Sequence, residues 1–207
     1  MTTDARAQIR RLLLEAAKQR SQSALTLKSK EGSVELFAPY SPSPDAMIEA
    51  VWQKMASAGV ALGCDDLIVD LGCGDGRWLL SAVRKYGCRA LGIELDDALV
   101  QRANAQVQAC GLDGRISIVR RDIMEVDISP ARLVVVYAFA ESLPGIGARL
   151  QLQLGVTASV LSVGFQIPGW QARWSNRTSG LRWYWYDLST AIPCRATGEG
   201  VLMQQSK

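Results

Sequence analysis

The sequence predicts a single α/β domain built on a doubly wound sheet, and three observations carry that expectation. Short apolar runs alternate with longer amphipathic segments between residues 45 and 187. Three of the runs end at or beside an acid: Leu67-Ile68-Val69 at Asp70, Leu91-Gly92-Ile93 at Glu94, and Ile116-Ser117-Ile118-Val119-Arg120 just before Asp122. The first run then turns through Gly72, Gly74 and Gly76 into a helical pattern. One acid at a strand end is ordinary solvation of a loop, but three in register line a polar crevice. Open α/β sheets bind ligands in such a crevice, at the carboxyl ends of their strands.

Along the chain, residues 4–20 place Ile9, Leu12, Leu13, Ala16 and Ala17 on one helical face, with Arg6, Arg10, Arg11, Lys18 and Arg20 largely elsewhere. An Arg-rich, acid-poor start of this kind reads either as a helix packed on the domain or as a mitochondrial presequence. Residues 21–32 are Ser/Lys-rich and read as a linker. The expected division is therefore an amphipathic helix and linker over residues 1–30 and one folded domain over residues 31–207. Residues 37–44 are extended, because Pro39, Pro42 and Pro44 disfavour helix at the residues before them. Residues 45–58 support a helix with Met47, Val51 and Met55 on one side. Two crossover helices are expected over residues 76–86 and 96–110, with a turn at residues 111–114. Strands are expected at residues 89–94, 116–120 and 133–137, the last an uninterrupted apolar run suited to the centre of a parallel sheet. A short helix near residues 147–154, a strand near residues 159–167 and a last strand over residues 181–187 complete the pattern.

Composition narrows the function. A chain of 207 residues is long enough for one α/β domain and too short for a second substrate domain. No apolar run approaches the ~20 residues of a membrane span, so no integral membrane segment is expected. The balance of 23 basic against 20 acidic residues is mild, and no Arg/Lys block interleaves with aromatics, so no nucleic-acid partner is expected. Five cysteines, at 64, 73, 88, 110 and 194, form no C-x-x-C pair. Their odd number argues for reduced thiols in an intracellular compartment, cytoplasmic or mitochondrial, and no metal framework is visible. The chain has no histidine, which excludes Ser-His-Asp and Cys-His catalysis and histidine metal ligands. Its chemistry must need little side-chain proton transfer, and methyl transfer qualifies.

Charge distinguishes the two obvious ligands of the glycine turn. Glycine at alternate positions allows positive φ and close approach of a ligand to the main chain. Dinucleotides need the spacing G-x-G-x-x-G; here the third glycine comes one residue early and Arg77 stands in its place. Asp70 and Asp75 flank the turn, and each would repel a close pyrophosphate by on the order of 4 kcal/mol at intermediate dielectric. The same carboxylates favour a ligand with a cationic amino-acid end and a sulfonium, which S-adenosylmethionine has. Strand-end solvation is the plain alternative for Asp70 and Glu94, and helix N-capping is the alternative for Asp75.

Residues 69–77, Val-Asp-Leu-Gly-Cys-Gly-Asp-Gly-Arg, resemble motif I of class I S-adenosylmethionine-dependent methyltransferases. Gly92-Ile93-Glu94 resembles their ribose-binding acid, and Arg121-Asp122-Ile123 the motif beside the adenine amino group. Pro39-Tyr40-Ser41-Pro42-Ser43-Pro44, Glu125-Val126-Asp127-Ile128-Ser129, the segment from Phe165 to Trp170 and Trp183-Tyr184-Trp185-Tyr186 extend the likeness over roughly residues 37–190. Together they resemble the family of archaeal broad-specificity protein-lysine methyltransferases and mitochondrial ATP-synthase c-subunit lysine methyltransferases. The resemblance implies a mostly parallel, seven-stranded, Rossmann-like methyltransferase sheet with helices on both faces. It implies that Asp70, Gly72, Cys73, Gly74 and Asp75 surround the methionine part of the cofactor, Glu94 the ribose, and Asp122 and Ile123 the adenine. The resemblance also implies that Tyr40 and Pro44 form a lid over the same pocket.

The implied acceptor is a lysine of a protein substrate, which must lose its proton before attack. An apolar aromatic channel lowers its pKa by desolvation, and π faces attract the sulfonium. Tyr137, Phe139 and Tyr184 are the expected acceptor-side residues, with Phe37, Trp170 and Tyr186 as further candidates; core packing is the alternative for each. Glu141 is either a positioning carboxylate or a solvated loop residue. The segment from Tyr137 to Ser142 lacks the Asn/Asp-Pro-Pro-Tyr/Phe pattern of enzymes that methylate nucleic-acid amino groups. A methyltransferase for a small metabolite and a catalytically silent cofactor-binding module are the competing functions.

Overall fold

In a computed structural model of the chain, which describes residues 40–191, seven strands form one sheet in the order β3-β2-β1-β4-β5-β7-β6. The strands are β1 (Leu67–Leu71), β2 (Arg89–Glu94), β3 (Ile116–Arg120), β4 (Leu133–Val136), β5 (Ser159–Val163), β6 (Trp174–Thr178) and β7 (Leu181–Asp187). Strands β1 to β5 are parallel, β7 runs antiparallel to β5, and β6 runs antiparallel to β7. The expected amphipathic helix and linker at residues 1–30, together with Phe37 and Cys194, lie outside the described residues.

The helices form where sequence signals start and stop them. Helix α1 (Asp45–Ser57) follows extended Pro44 and carries Asp45 in its first turn, where an acid suits the dipole. Helix α2 (Arg77–Tyr86) begins after Gly76 and ends at Gly87, both left-handed. Helix α3 (Asp97–Ala109) is capped by the Asp96 side chain, which accepts from the Ala98 and Leu99 N–H groups. Helix α4 (Leu143–Gln153) has proline in its first turn, and the short α5 (Leu188–Ala191) follows β7.

Two apolar layers sandwich the sheet. On one face α1 and α2, with Val107 of α3, pack against Ile68, Val135, Leu161, Trp183 and Trp185. Trp52 of α1 meets Trp78 and Tyr86 edge-on and donates its indole N–H to Ser81 at 2.8 Å, which fastens α1 to α2. On the other face α4 and loop residues Ile123, Ile128, Ile167 and Trp170 cover Val69, Leu71, Val134, Val136 and Tyr186. Alternation along β7 thus sends its two tryptophans to one face and its two tyrosines to the other.

Four local expectations are corrected. The strand expected to run to residue 167 stops at Val163, because Gly164 turns the chain at φ 86°. The strand expected to end at residue 137 stops at Val136. The helix expected from residue 147 starts at Leu143, since Pro144 is tolerated in a first turn and the two glycines of the helix do not break it. A seventh strand, β6, stands at the sheet edge where no strand is expected from the sequence, because its middle residues are all exposed and carry no apolar alternation.

Candidate functional site

Register brings the strand tips level. Val119, Ile93, Leu71, Val136, Ser162, Tyr184 and Ser175 are register partners across the sheet, so Asp70, Glu94 and Asp122 all stand at its carboxyl edge. Between β1 and α2 the chain turns through Gly72, Gly74 and Gly76 at φ 82°, 56° and 79°, a region costly to residues with a Cβ. The N–H groups of Gly72 and Cys73 donate to the Ile93 carbonyl at 2.8 and 3.0 Å, which ties the turn to β2.

Asp70 is the centre of this edge. It is only 3% exposed, and its carboxylate accepts no hydrogen bond among the described residues. Burial, with the neighbouring charges of Glu94 and Asp75, pushes its pKa up to about 8. A buried acceptor in this state is stabilised by an arriving cation that can donate to it.

Glu94 organises the turn from the next strand. One of its oxygens accepts from Gly74 N–H at 2.9 Å, and the other from Leu95 and Asp96 N–H at 2.8 and 3.0 Å. The first oxygen keeps a lone pair for a further donor such as a ribose hydroxyl. Asp122 accepts from Met124 N–H at 2.8 Å within its own turn, while Ile123 beside it is buried in the core face.

Asp75 has a different occupation from that expected. Its carboxylate is clasped by Arg77, with Nε to Oδ1 at 2.9 Å and a terminal nitrogen to Oδ2 at 2.7 Å. Burial opposes its ionisation, but hydrogen bonds from Arg77 and the adjoining Tyr40 hydroxyl outweigh burial and hold its pKa below the usual value. The same Oδ1 also accepts from the Arg77 N–H at 3.4 Å at the start of α2, so the carboxylate is engaged chiefly by Arg77. The cationic preference of the turn therefore rests on Asp70 and Glu94.

Cys73 is also corrected. Its side chain packs into the core, where its sulfur lies 2.7 Å from where a Cβ on Gly92 would stand. Burial and the carboxylates of Asp70 and Glu94 push its thiol pKa up, so it is an unreactive packing residue.

The segment before α1 is moored to the turn by three residues that sequence reasoning missed. Arg77 donates to the Ser43 carbonyl at 2.8 Å and the Trp78 indole N–H donates to Ser43 Oγ at 3.0 Å. With Ser43 fixed, the Tyr40 ring lies against Gly74 so closely that a Cβ there would be 2.7 Å from Tyr40 Cε2. Tyr40 thus covers the glycine turn. The Pro44 carbonyl accepts from Met47 and Ile48 N–H and starts α1. The available signal is Arg77 itself, a cation placed two residues after a buried acid.

Half-buried Tyr137 and Phe139 follow the carboxyl end of β4, and half-buried Tyr184 is level with Ser162 of β5; Tyr137 packs on the face that carries the tryptophans and Tyr184 on the opposite face of the sheet. The Tyr137 ring packs on Gly164, and Phe165 beyond it is 45% exposed. Trp170 and Tyr186 do not belong to this surface. They meet edge-on in the core, and Tyr186 is fully buried with its hydroxyl accepting from Ile167 N–H at 2.9 Å. Glu141 is exposed in its loop. A cleft of about 700 Å³ lies beside the Asp75–Arg77 pair, bounded by Glu49, Arg84, Lys85 and Arg102 between α1, α2 and α3.

Among the described residues no group of His, Cys, Asp and Glu could hold a metal ion, and no helix is long and apolar enough to cross a membrane. Residues 70–174 match the model of the ANTKMT methyltransferase domain. The chain is 31% identical over 136 residues to a protein-lysine N-methyltransferase of Saccharolobus islandicus, covering 65% of this chain and 81% of that protein. It is 35% identical over 105 residues to the adenine nucleotide translocase lysine N-methyltransferase of Mus musculus, covering 50% of this chain and 45% of that one. It is 28% identical over 135 residues to the ATP-synthase c-subunit lysine N-methyltransferase of Xenopus laevis, covering 65% and 57%. The chain thus spans about half the length of these animal relatives. Among solved structures, an RNA methyltransferase of Salinibacter ruber in complex with S-adenosyl-L-homocysteine superposes with a TM-score of 0.68 at 26% identity, over 75% of this chain and 98% of that one.

Proposed function

We propose that this chain, which belongs to the ANTKMT methyltransferase domain family, methylates the side-chain nitrogen of a lysine in a protein substrate. It is an S-adenosylmethionine-dependent methyltransferase. The observation that carries the cofactor assignment is the Asp70 carboxylate, buried without a hydrogen-bond donor among the described residues at the tip of β1. The names of the relatives support the lysine assignment, as do half-buried Tyr137 and Tyr184 near the carboxyl edge of the sheet.

S-adenosylmethionine supplies an electrophilic methyl group on a sulfonium centre. Asp70 would hold the ammonium of its amino-acid end, beside the main chain of Gly72 and Gly74. Glu94 accepts from the ribose hydroxyls, and Asp122 with Ile123 borders the adenine. Tyr40, moored through Ser43, covers the turn and excludes water. Tyr137, Phe139 and Tyr184 form the acceptor surface. A lysine ammonium entering it leaves water, its pKa falls, and its proton passes to solvent, which is why no histidine base is needed. The acceptor surface would hold the neutral amine toward that methyl group, and orientation of this kind is worth several kcal/mol. The free thiols of Cys64, Cys73, Cys88 and Cys110 support a reducing, intracellular compartment.

Two measurements test this function. Calorimetric titration with S-adenosylhomocysteine gives saturable binding if the cofactor assignment holds. Incubation with methyl-labelled cofactor and cell extract then places label on protein bands, recovered as methyl-lysine after hydrolysis. Label found only in the low-mass fraction contradicts the lysine acceptor.

A further inference from the structure

The hairpin of β6 and β7 closes one edge of the sheet with a two-residue turn. Ser179 and Gly180 both have positive φ, at 51° and 83°, the tight form that matches strand twist and fixes register. That register sets Arg177 directly opposite Arg182. The Arg182 carbonyl accepts from Gly164 N–H at 2.8 Å, so its main-chain groups point toward β5 and away from β6. The arginine pair is therefore of the non-hydrogen-bonded kind, in which side chains stand closest. Both side chains are exposed, and neither joins an ion pair among the described residues. Like charges in this arrangement destabilise a hairpin. Arg173, by contrast, is neutralised by Asp187.

The location of the pair is informative. Arg182 shares a face with Tyr184, two residues further along β7, and Gly164 beside it supports the ring of Tyr137. The unneutralised cations thus stand at the carboxyl edge of the sheet, next to the acceptor surface. Among the described residues β6 is the edge strand of the sheet, with no strand paired to its outer side.

We propose that Arg177 and Arg182 bind an acidic segment of the protein substrate flanking the target lysine, so that the β6–β7 hairpin selects which lysines reach the acceptor surface. This rests on the lysine reading above. An acidic segment removes the repulsion between the guanidinium groups, and each can take a carboxylate with paired hydrogen bonds. Substrate docking and relief of hairpin strain then coincide.

The test uses the full chain and short peptides with one central lysine, flanked by Asp/Glu, by Gln/Asn or by Lys/Arg. Methyl transfer and, separately, fluorescence anisotropy with lysine-to-methionine versions of the peptides are measured for wild type, R177Q/R182Q and R177K/R182K. Wild type is expected to prefer the acidic peptide by about five- to ten-fold in kcat/KM and in affinity, with the preference weakened by salt. The ratio collapses toward one in R177Q/R182Q and is retained in R177K/R182K. The midpoint of thermal unfolding of R177Q/R182Q is expected to rise, since repulsion is relieved. Failure of wild type to methylate any peptide overturns the lysine reading, while the anisotropy arm still decides the docking surface. Equal binding of acidic and neutral peptides, or a preference that survives R177Q/R182Q, overturns the docking proposal. Tighter, arginine-dependent binding of a single-stranded RNA oligonucleotide overturns it in favour of nucleic acid.

Discussion

Replacing Asp70 by Asn separates what this carboxylate does to the protein alone from what it does to the cofactor. Its pKa stands at about 8 against a usual 3.8, raised by burial and by the charges of Glu94 and Asp75. Between those two values the folded protein keeps a proton that the unfolded chain has released, so folding stability falls as pH rises and levels off above about 8. At about 1.4 kcal/mol per pH unit, the ceiling of the loss is about 6 kcal/mol. An effective interior dielectric near 20 rather than 4 reduces it, and about 2 kcal/mol is a realistic figure. Asp70→Asn keeps the shape and removes the charge. The variant without cofactor should match wild type near pH 4 and exceed it above pH 8, by roughly 4–8 °C in thermal midpoint for a domain of this size. Its affinity for S-adenosylhomocysteine should fall by about 1.5–3 kcal/mol through loss of a charge-assisted hydrogen bond. Thermal unfolding across pH, with and without S-adenosylhomocysteine, measures both effects. A variant less stable than wild type at pH 8.5, or one that binds the cofactor product undiminished, refutes the reasoning.

Arg77→Met should destabilise the fold by about 3 kcal/mol in chemical denaturation, because it leaves the buried Asp75 carboxylate with only the Tyr40 hydroxyl and the more distant Arg102. The same variant frees Ser43 from one of its two anchors and should raise the proteolytic sensitivity of the segment around Tyr40. Tyr184→Ala should lower kcat for a protein substrate more than it weakens S-adenosylhomocysteine binding in calorimetry; the reverse pattern moves Tyr184 out of the acceptor surface. Gly92→Ala brings a methyl group within 2.7 Å of Cys73 Sγ and Ile118 Cδ1 and 2.8 Å of Leu79 Cδ1. Overpacking there should cost about 1–3 kcal/mol of stability, read from the urea midpoint at unchanged slope.

The parts of this fold legible in the sequence are those where a local rule and the tertiary structure agree. Gly72, Gly74 and Gly76 all take the left-handed conformation that their alternate spacing suggests, and the acids after the first three strands stand along one edge. The β6 strand is hidden because Trp174–Thr178 packs mainly through Trp174, which stacks on Trp185, and exposes its middle residues; it has no face to reveal by alternation. Asp75 is misread because sequence shows how far apart charges are along the chain but not that Arg77 folds back over the carboxylate two residues before it. The same limit applies to the aromatic run of β7. Period two separates Tyr184 and Tyr186 from the tryptophans, yet only the sheet's register shows that Tyr184 is level with the strand tips while Tyr186 sits beneath Trp170. Ser43 is not identifiable at all, since its role is to accept from an arginine and an indole more than thirty residues away in the chain.

The central claim is that the carboxylates of Asp70 and Glu94 converge on a positively charged methyl donor at the strand tips. A crystal structure of the chain with S-adenosylhomocysteine tests it most directly. The account predicts the amino-acid end of the molecule against Asp70, its ribose hydroxyls on Glu94 and its adenine beside Asp122 and Ile123. Density for the molecule in the cleft beside the Asp75–Arg77 pair, or at the strand tips with the ribose turned away from Glu94, contradicts it.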